Sequence, residues 1–261
     1  MSTSHLRGSD LDLLMSTVAD GYRDDAGAGM PWALLDGLQK LIPCDVDVSY
    51  QHYDYRACRS LFKQGLPACG LREPVSGPDP PEPEDPFWLL WWQATCSWPQ
   101  RAGNLHRVVH TGDFFPTERA RLAEPMSEVL PEIRYDMILS LPAPPGEARR
   151  ILFFRAGNSP FSERERQLAE LIRPHVQEIW LDAERRRAGV PKLSPREWEV
   201  LSLAAAGRSY GEIAGQLYIA TSTVRKHMEH VRERLGVRSV AAAAAIAMPH
   251  AATARSAAVT R

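Results

Sequence analysis

Leu34, Leu35, Leu38 and Leu41 recur three and four residues apart in PWALLDGLQKLI, a spacing that puts them on one side of a helix, and Pro31 suits its first turn. The period then changes to two. Val46, Val48 and Tyr50 alternate with polar residues in VDVSYQHY, and RACRSLFK follows after the short Asp54-Tyr55, so the two runs read as a hairpin. RVVH and DMILSLPAPPGEARRILFFR supply three more extended runs, the last two joined across the loop PAPPGEA. Helical spacing returns in SERERQLAELIRPHVQEIWLDAERRR. There Leu168, Leu171, Ile172, Val176 and Ile179 form the stripe, Ser162 and Glu165 form a capping box, and Pro174 is expected to bend the axis. Residues 1–183 are therefore predicted to be an α+β domain, a mostly antiparallel sheet of about five strands flanked by helices.

ERRRAGVPK marks a change of pattern, with a linker expected over 184–191. Beyond it the periodicity is purely helical. In LSPREWEVLSLAAAG, Ser194 is placed as cap, Pro195 at the first helical position and Glu197 as the box partner, and Gly207 stops the helix. RSYGEIAGQL repeats the device with Ser209 and Glu212, and Ile213, Ala214 and Leu217 form its inner face. After a short YIA comes TSTVRKHMEHVRERLGV. Val224, Met228, Val231 and Leu235 line one side, and Arg225, Lys226, His230, Arg232 and Arg234 stand on the other with Glu229 and Glu233 among them. Two short helices in tight connection, the second apolar inside and basic outside, match a helix-turn-helix. The prediction is an all-α, four-helix domain over 192–250 and a disordered tail over 251–261.

A net charge of −1 over 261 residues conceals a division along the chain. Residues 184–261 hold 13 Lys/Arg against 6 Asp/Glu, a balance of +7, and residues 1–183 hold 18 against 26, a balance of −8. Only the C-terminal part is suited to a polyanion. No apolar run reaches the roughly 18–20 residues of a membrane helix, and the N-terminus lacks a basic leader with an apolar core. A cytoplasmic protein without membrane attachment is expected. Cys44, Cys58, Cys69 and Cys96 show no CxxC spacing, which favours free thiols over zinc or a disulfide framework.

The C-terminal sequence resembles the four-helix DNA-binding domain of LuxR-type transcription regulators. The resemblance rests on Leu193-Ser194-Pro195-Arg196-Glu197, Val200-Leu201, Gly207, Glu212-Ile213-Ala214, Leu217, Ile219, Thr223-Val224, His227 and Leu235-Gly236-Val237-Arg238-Ser239. It implies double-stranded DNA as partner, with the helix beginning near Thr221 lying in the major groove. Thr221, Ser222 and Thr223 would meet phosphate at its N-terminal turn, where hydroxyls and free N–H groups gather. Arg225 and Lys226 are the base-edge or phosphate candidates, and Arg232, Arg234 and Arg238 would contact or attract the backbone. His227, one position from the inner seam, is expected to be packed and hydrogen-bonded.

Three positions depart from that family. A serine usually precedes the recognition helix where this chain has Ala220, so Thr221 or Ser222 is expected to cap instead. Gly211 stands where the preceding helix usually carries a base. Glu229 occupies a position often held by Lys, Asn or Arg; its carboxylate would repel phosphate but can accept from cytosine N4.

The N-terminal part carries less specific signals. EPVSGPDPPEPEDP, with six prolines and five acids, reads as a solvated loop. FWLLWWQATCSW follows at once, either as core packing or as the lining of a ligand cavity. If a cavity, Tyr50, Phe62, Trp88, Trp91 and Trp92 are its candidate wall. Asp24-Asp25 follow no strand, unlike a phospho-receiver, and Asp85-Pro86 alone does not make the Trp/Tyr/Asp pattern of acyl-homoserine-lactone receptors. The order of elements, with Arg155 separated by five residues from PheSerGluArgGluArg at 161–166, is similar to GAF-like sensor domains; that resemblance implies a small-molecule site or a dimerisation module. No nucleophile elbow, phosphate loop, metal-ligand spacing or dinucleotide fingerprint is present, so neither enzyme activity nor a cofactor is expected. The expected protein is a homodimeric regulator whose N-terminal domain senses a ligand and repositions the recognition helices. The alternative is a ligand-independent regulator whose N-terminal domain dimerises or binds a protein partner. The helix over 162–183 and the stretch SVAAAAAIA are the candidate dimer interfaces.

Overall fold

The computed structural model describes residues 6–24, 27, 29–72, 77–157, 159–187, 189 and 191–251. The chain divides into two compact units, Met1–Ala183 and Glu184–Arg261.

In the first unit, helices α1 (Gly8–Arg23) and α2 (Trp32–Leu41) precede strands β1 (Asp47–Asp54) and β2 (Arg59–Pro67). Short helices α3 (Pro86–Leu90) and α4 (Trp98–Arg101), strand β3 (Val109–His110), and helices α5 (Glu118–Leu122) and α6 (Met126–Val129) follow. Strands β4 (Tyr135–Leu141) and β5 (Glu147–Arg155) and the long helix α7 (Glu163–Arg187) complete it. The sheet runs β2-β1-β5-β4-β3 with every neighbouring pair antiparallel. The expected antiparallel α+β domain is thus present. Its first hairpin turns later than the sequence reading placed it, over residues 55–58, where Cys58 adopts φ 51°.

Strand alternation sends the two faces of the sheet to different tasks. Val48, Tyr50, Met137, Leu139, Leu141, Ile151 and Phe153 pack under the apolar stripes of α1, α2 and α7, which contribute Leu14, Leu34, Leu35, Leu38, Leu168, Ile172, Val176 and Ile179. The helices α1 and α2 approach so closely that a Cβ on Gly37 would stand 2.4 Å from Thr17 Cγ2. Helix α7 runs on through Pro174 to Arg187, so the first four residues of the expected linker are helical; positions 188 and 190 lie outside the described residues.

The motif that joins β5 to α7 has a structural purpose. Arg155 donates to Pro43 O at 2.9 and 2.6 Å and to Glu165 Oε1 at 2.5 Å, and its guanidinium sits 4.1 Å from the Phe161 ring centroid. Ser162 and Glu165 form the expected capping interaction, with Ser162 N donating to Glu165 Oε2 at 2.7 Å.

The second unit is all-α: α8 (Pro195–Ala205), α9 (Tyr210–Leu217), α10 (Thr221–Leu235) and α11 (Val240–Ala247). Capping boxes at Ser194/Glu197 and Ser209/Glu212 start α8 and α9. Gly207 and Gly236, at φ 82° and 64°, follow the ends of α8 and α10, as left-handed stops require. Val200, Leu201, Ile213, Ala214, Val224, Met228, Val231, Ala243 and Ala247 make the core. Of the tail expected to be disordered, Ala251 is buried and 252–261 lie outside the described residues.

Candidate nucleic-acid interface and ligand cavity

Helix α10 buries Val224, Met228 and Val231 completely and half-buries Leu235, as their spacing requires. Its opposite face is open. Thr221, Ser222, Arg225, Lys226 and Glu229 are exposed and Thr223 is half-exposed. Among the described residues no hydrogen bond or ion pair engages the Arg225, Lys226 or Glu229 side chain. Glu229 is therefore not spent on a neighbour within its own domain.

Other basic residues of this helix are used internally. Arg232 Nε donates to Met228 O at 3.3 Å and its Nη1 to Arg238 O at 3.5 Å, closing the last turn. Arg234 Nη1 donates to Glu197 Oε2 at 2.6 Å and to Lys192 O at 3.4 Å. Arg234 thus ties α10 to α8 rather than standing free for a phosphate. His227 is half-buried, but among the described residues the expected hydrogen bond is missing.

The helix begins differently from expectation. Ala220, extended at φ −69°, ψ 146°, occupies the cap position itself, and neither Thr221 nor Ser222 takes that role. No side chain caps the helix, so first-turn N–H groups of a 15-residue helix stay open beside the hydroxyls of Thr221 and Ser222. Tyr218, in the turn before it, is held at φ 54° and is 95% exposed.

In the first unit, the sheet face away from α1, α2 and α7 floors a cavity of about 530 Å³. The five aromatic candidates do not share it. Tyr50 and Phe62 belong to the opposite face: Tyr50 is buried in the main core, where Trp180 Nε1 donates to its hydroxyl at 3.1 Å, and Phe62 packs on it at 5.7 Å. Register explains the error, because Tyr50 and Tyr53 are an odd number of residues apart on one strand. Trp88 lines the cavity. Trp91 is buried beside it in a cluster with Tyr53, Phe87 and Trp88, whose ring centroids lie 5.5–5.9 Å from its own. Trp92 is 50% exposed and meets Tyr55 edge-on at 5.1 Å. Packing and lining, weighed as alternatives for the aromatic segment, are divided among its residues.

Sequence reasoning missed the polar floor of this cavity, chiefly Gln51, Tyr53, Thr111, Asp136 and Arg150. The signal was the opposite phase of the same strands: Asp136 and Arg150 interrupt otherwise apolar runs at positions that face away from the main core. Arg150 is buried, donates to Cys96 O at 2.9 Å and lies 4.7 Å from the ring centroids of both Tyr53 and Trp91. Thr111 Oγ1 donates to Asp136 Oδ1 at 2.6 Å, while burial pushes the Asp136 carboxyl above its usual range. Part of the Pro-rich loop joins this wall, since Asp79 N and Glu82 N donate to Ser60 O and Cys58 O at 2.8 and 2.9 Å. The loop expected to be merely solvated is thus pinned to the first hairpin.

The four cysteines are free. Burial pushes Cys44 to about 12 and Cys96 to about 11. Among the described residues no three His, Cys, Asp or Glu side chains are placed to hold a metal ion, and no helix is long and apolar enough to cross a membrane.

Four short helices, the second and third joined by a tight turn and the third presenting an open basic face, define a helix-turn-helix domain. Residues 191–247 match the family of bacterial regulatory proteins, luxR family, and this segment is a domain of that family. Over 58 residues, 22% of this chain and 27% of the other, it is 52% identical to the probable transcriptional regulatory protein NarL of Mycobacterium tuberculosis. Over 69 residues it is 39% identical to the HTH-type transcriptional regulator MalT of Yersinia enterocolitica, covering 24% of this chain and 8% of that one. The chain thus spans about a quarter or less of the length of these relatives, which are regulators rather than enzymes. Among solved structures, the LBD domain of VqsR from Pseudomonas aeruginosa overlaps 68% of this chain and 95% of its own at 14% identity, with a TM-score of 0.40.

Proposed function

We propose that the chain is a cytoplasmic, homodimeric, DNA-binding transcriptional regulator whose GAF-like N-terminal domain senses a small molecule and repositions the recognition helices. The open face of α10 carries this reading: Arg225, Lys226 and Glu229 point outward with no partner among the described residues, over a seam whose Val224, Met228 and Val231 are fully buried. Thr221 and Ser222, at an uncapped helix start, suit a phosphate, and Arg225 suits the O6 and N7 of guanine. Glu229 selects against bases that offer only acceptors and favours a cytosine amine.

A homodimer follows from size, because one short helix reads few base pairs and two half-sites multiply the discrimination. The stripe of α7 is consumed by its own core except at Leu171, which is exposed; the outer side of α11, with Ala241, Ala245 and Ile246 exposed, is the better of the two interfaces expected from sequence. The cavity favours a ligand sensor over a purely dimerising body, since its volume falls within the roughly 300–1,000 Å³ of small-molecule sites.

The test is recovery of bound fragments from sheared genomic DNA by the purified chain, followed by sequencing and titration at several salt concentrations. A two-fold symmetric motif is expected, with affinity falling by about 0.9 log units per log salt for each phosphate neutralised. A flat salt response overturns the DNA reading, and light scattering that gives a monomer both free and on DNA overturns the dimer.

A further inference from the structure

Across the middle of the sheet, on the cavity face, the opposed residues are Lys63, Gln51, Arg150 and Ser140, one from each of β2, β1, β5 and β4. The adjacent row on the core face reads Gln64, Tyr50, Ile151 and Leu139. A wholly polar row at mid-sheet is expensive unless something answers its hydrogen bonds.

Arg150 is the centre of that cost. Its side chain is 2% exposed, and a guanidinium cannot shed its proton to escape burial. One Nη donates to Cys96 O at 2.9 Å, and the rings of Tyr53 and Trp91 accept part of the charge. Among the described residues its Nε is buried without an acceptor, and so is the hydroxyl of Ser60, which lines the same cavity. Four of the acids that line the cavity are already engaged, while Asp47, Glu82 and Glu132 also stand in its wall. Asp136 accepts from Thr111, Glu124 accepts from Thr95 N at 2.9 Å, Asp79 pairs with Lys63 at 3.8 Å, and Asp85 caps Phe87 N at 2.7 Å. Burial also pushes the Asp136 and Glu124 carboxyls up. Around Arg150 and Ser60 the buried polar atoms left over among the described residues can donate, and an acceptor would answer them. Beyond it, Phe115, Met126, Leu152 and Phe154 give the cavity an apolar wall.

We propose that the cavity takes an amphipathic organic acid, its carboxylate on Arg150 at the floor and its apolar body along Phe115, Met126, Leu152 and Phe154. The inference rests on the ligand-sensing reading above and gives it a chemical class. An organic cation would meet the buried guanidinium, and a purely apolar ligand would leave its Nε unanswered.

The experiment is calorimetric titration of the full chain with decanoate and 4-phenylbutyrate, and with the methyl esters, primary amides and amines of the same bodies. The acids are expected to bind at least about tenfold tighter than their esters and amides, the scale of one charge-assisted hydrogen bond. Arg150→Met should abolish the preference for the acid over its ester, with Arg150→Lys recovering part of that preference. Should the Met variant fail to fold, as judged by circular dichroism, the acid-to-ester ratio in the unaltered chain decides alone. Equal binding of acid and ester, or tightest binding of an amine, overturns the carboxylate assignment and keeps the sensor. Should none of these probes bind, the carboxylate assignment is overturned; a parallel thermal-shift screen of neutral and cationic metabolites then keeps the sensing reading if one stabilises the chain and overturns that reading too if none does.

Discussion

Arg234 Nη1 lies 2.6 Å from Glu197 Oε2, joining the last turn of α10 to the first turn of α8. The same carboxylate oxygen accepts from Ser194 N at 2.7 Å, and the Glu197 side chain is 3% exposed. One buried acid thus caps one helix and anchors another, holding the recognition helix on its scaffold. Arg234→Met leaves that carboxylate without its Arg234 partner and is expected to destabilise the C-terminal domain by about 1–3 kcal/mol, less than for a fully buried pair because Arg234 is half exposed. Glu197→Gln should cost less, and the double substitution less than the sum, as a urea-unfolding cycle of the four proteins would measure.

Arg225→Ala and Lys226→Ala should each weaken DNA binding while leaving the fold intact, since neither side chain has a partner to lose. If one of them contacts phosphate, its removal also lowers the slope of log affinity against log salt by about 0.9; a base contact leaves the slope and changes the preferred sequence. Glu229→Gln is expected to alter base preference at one position of each half-site, read by binding to a panel of operator variants. An unchanged preference removes Glu229 from the readout.

The start of α10 offers two stabilising changes. Ala220→Ser supplies the missing cap and should add about 0.5–2 kcal/mol to the domain's unfolding free energy. Tyr218→Gly relieves a left-handed tyrosine that buries almost nothing, for a gain of about 1 kcal/mol. Both are checked by thermal unfolding, and loss of DNA affinity despite the gain would mark Tyr218 as a contact.

The thiols should separate by burial. Cys69 and the partly exposed Cys58 are expected to react with a thiol reagent in the native protein, Cys96, partly exposed but with its thiol pushed up by burial, more slowly than Cys58, and Cys44 only on unfolding. The folded chain holds the Cys44 and Cys96 protons more tightly than the unfolded chain, whose thiols titrate near 9.0. Stability is therefore unaffected below about pH 9 and falls as pH rises from there toward 11 and 12. Unfolding midpoints across that window, compared with those of Cys44→Ala, measure the slope.

The C-terminal domain was legible residue by residue because its signals are local. Ser194 with Glu197, Ser209 with Glu212, and Gly207 each act within one helical turn, and the seam of Val224, Met228 and Val231 needs only a period to be seen. What sequence could not give there was which charges are free, since Arg234 finds Glu197 across 37 residues and Arg225 finds no partner among the described residues.

In the N-terminal domain the chain itself determined five antiparallel strands, the helices around them and the aromatic segment beside the cavity. Only tertiary structure decided the face on which each residue falls. A strand shows its neighbours the same alternation whichever side is buried, so Tyr50 and Tyr53 looked equally fit for a cavity wall until the pairing of β1 with β5 separated them. The same pairing brought Gln51, Arg150 and Ser140, distant in sequence, into one polar row. Periodicity is a property of a strand alone; a site is a property of which strands meet and in what register.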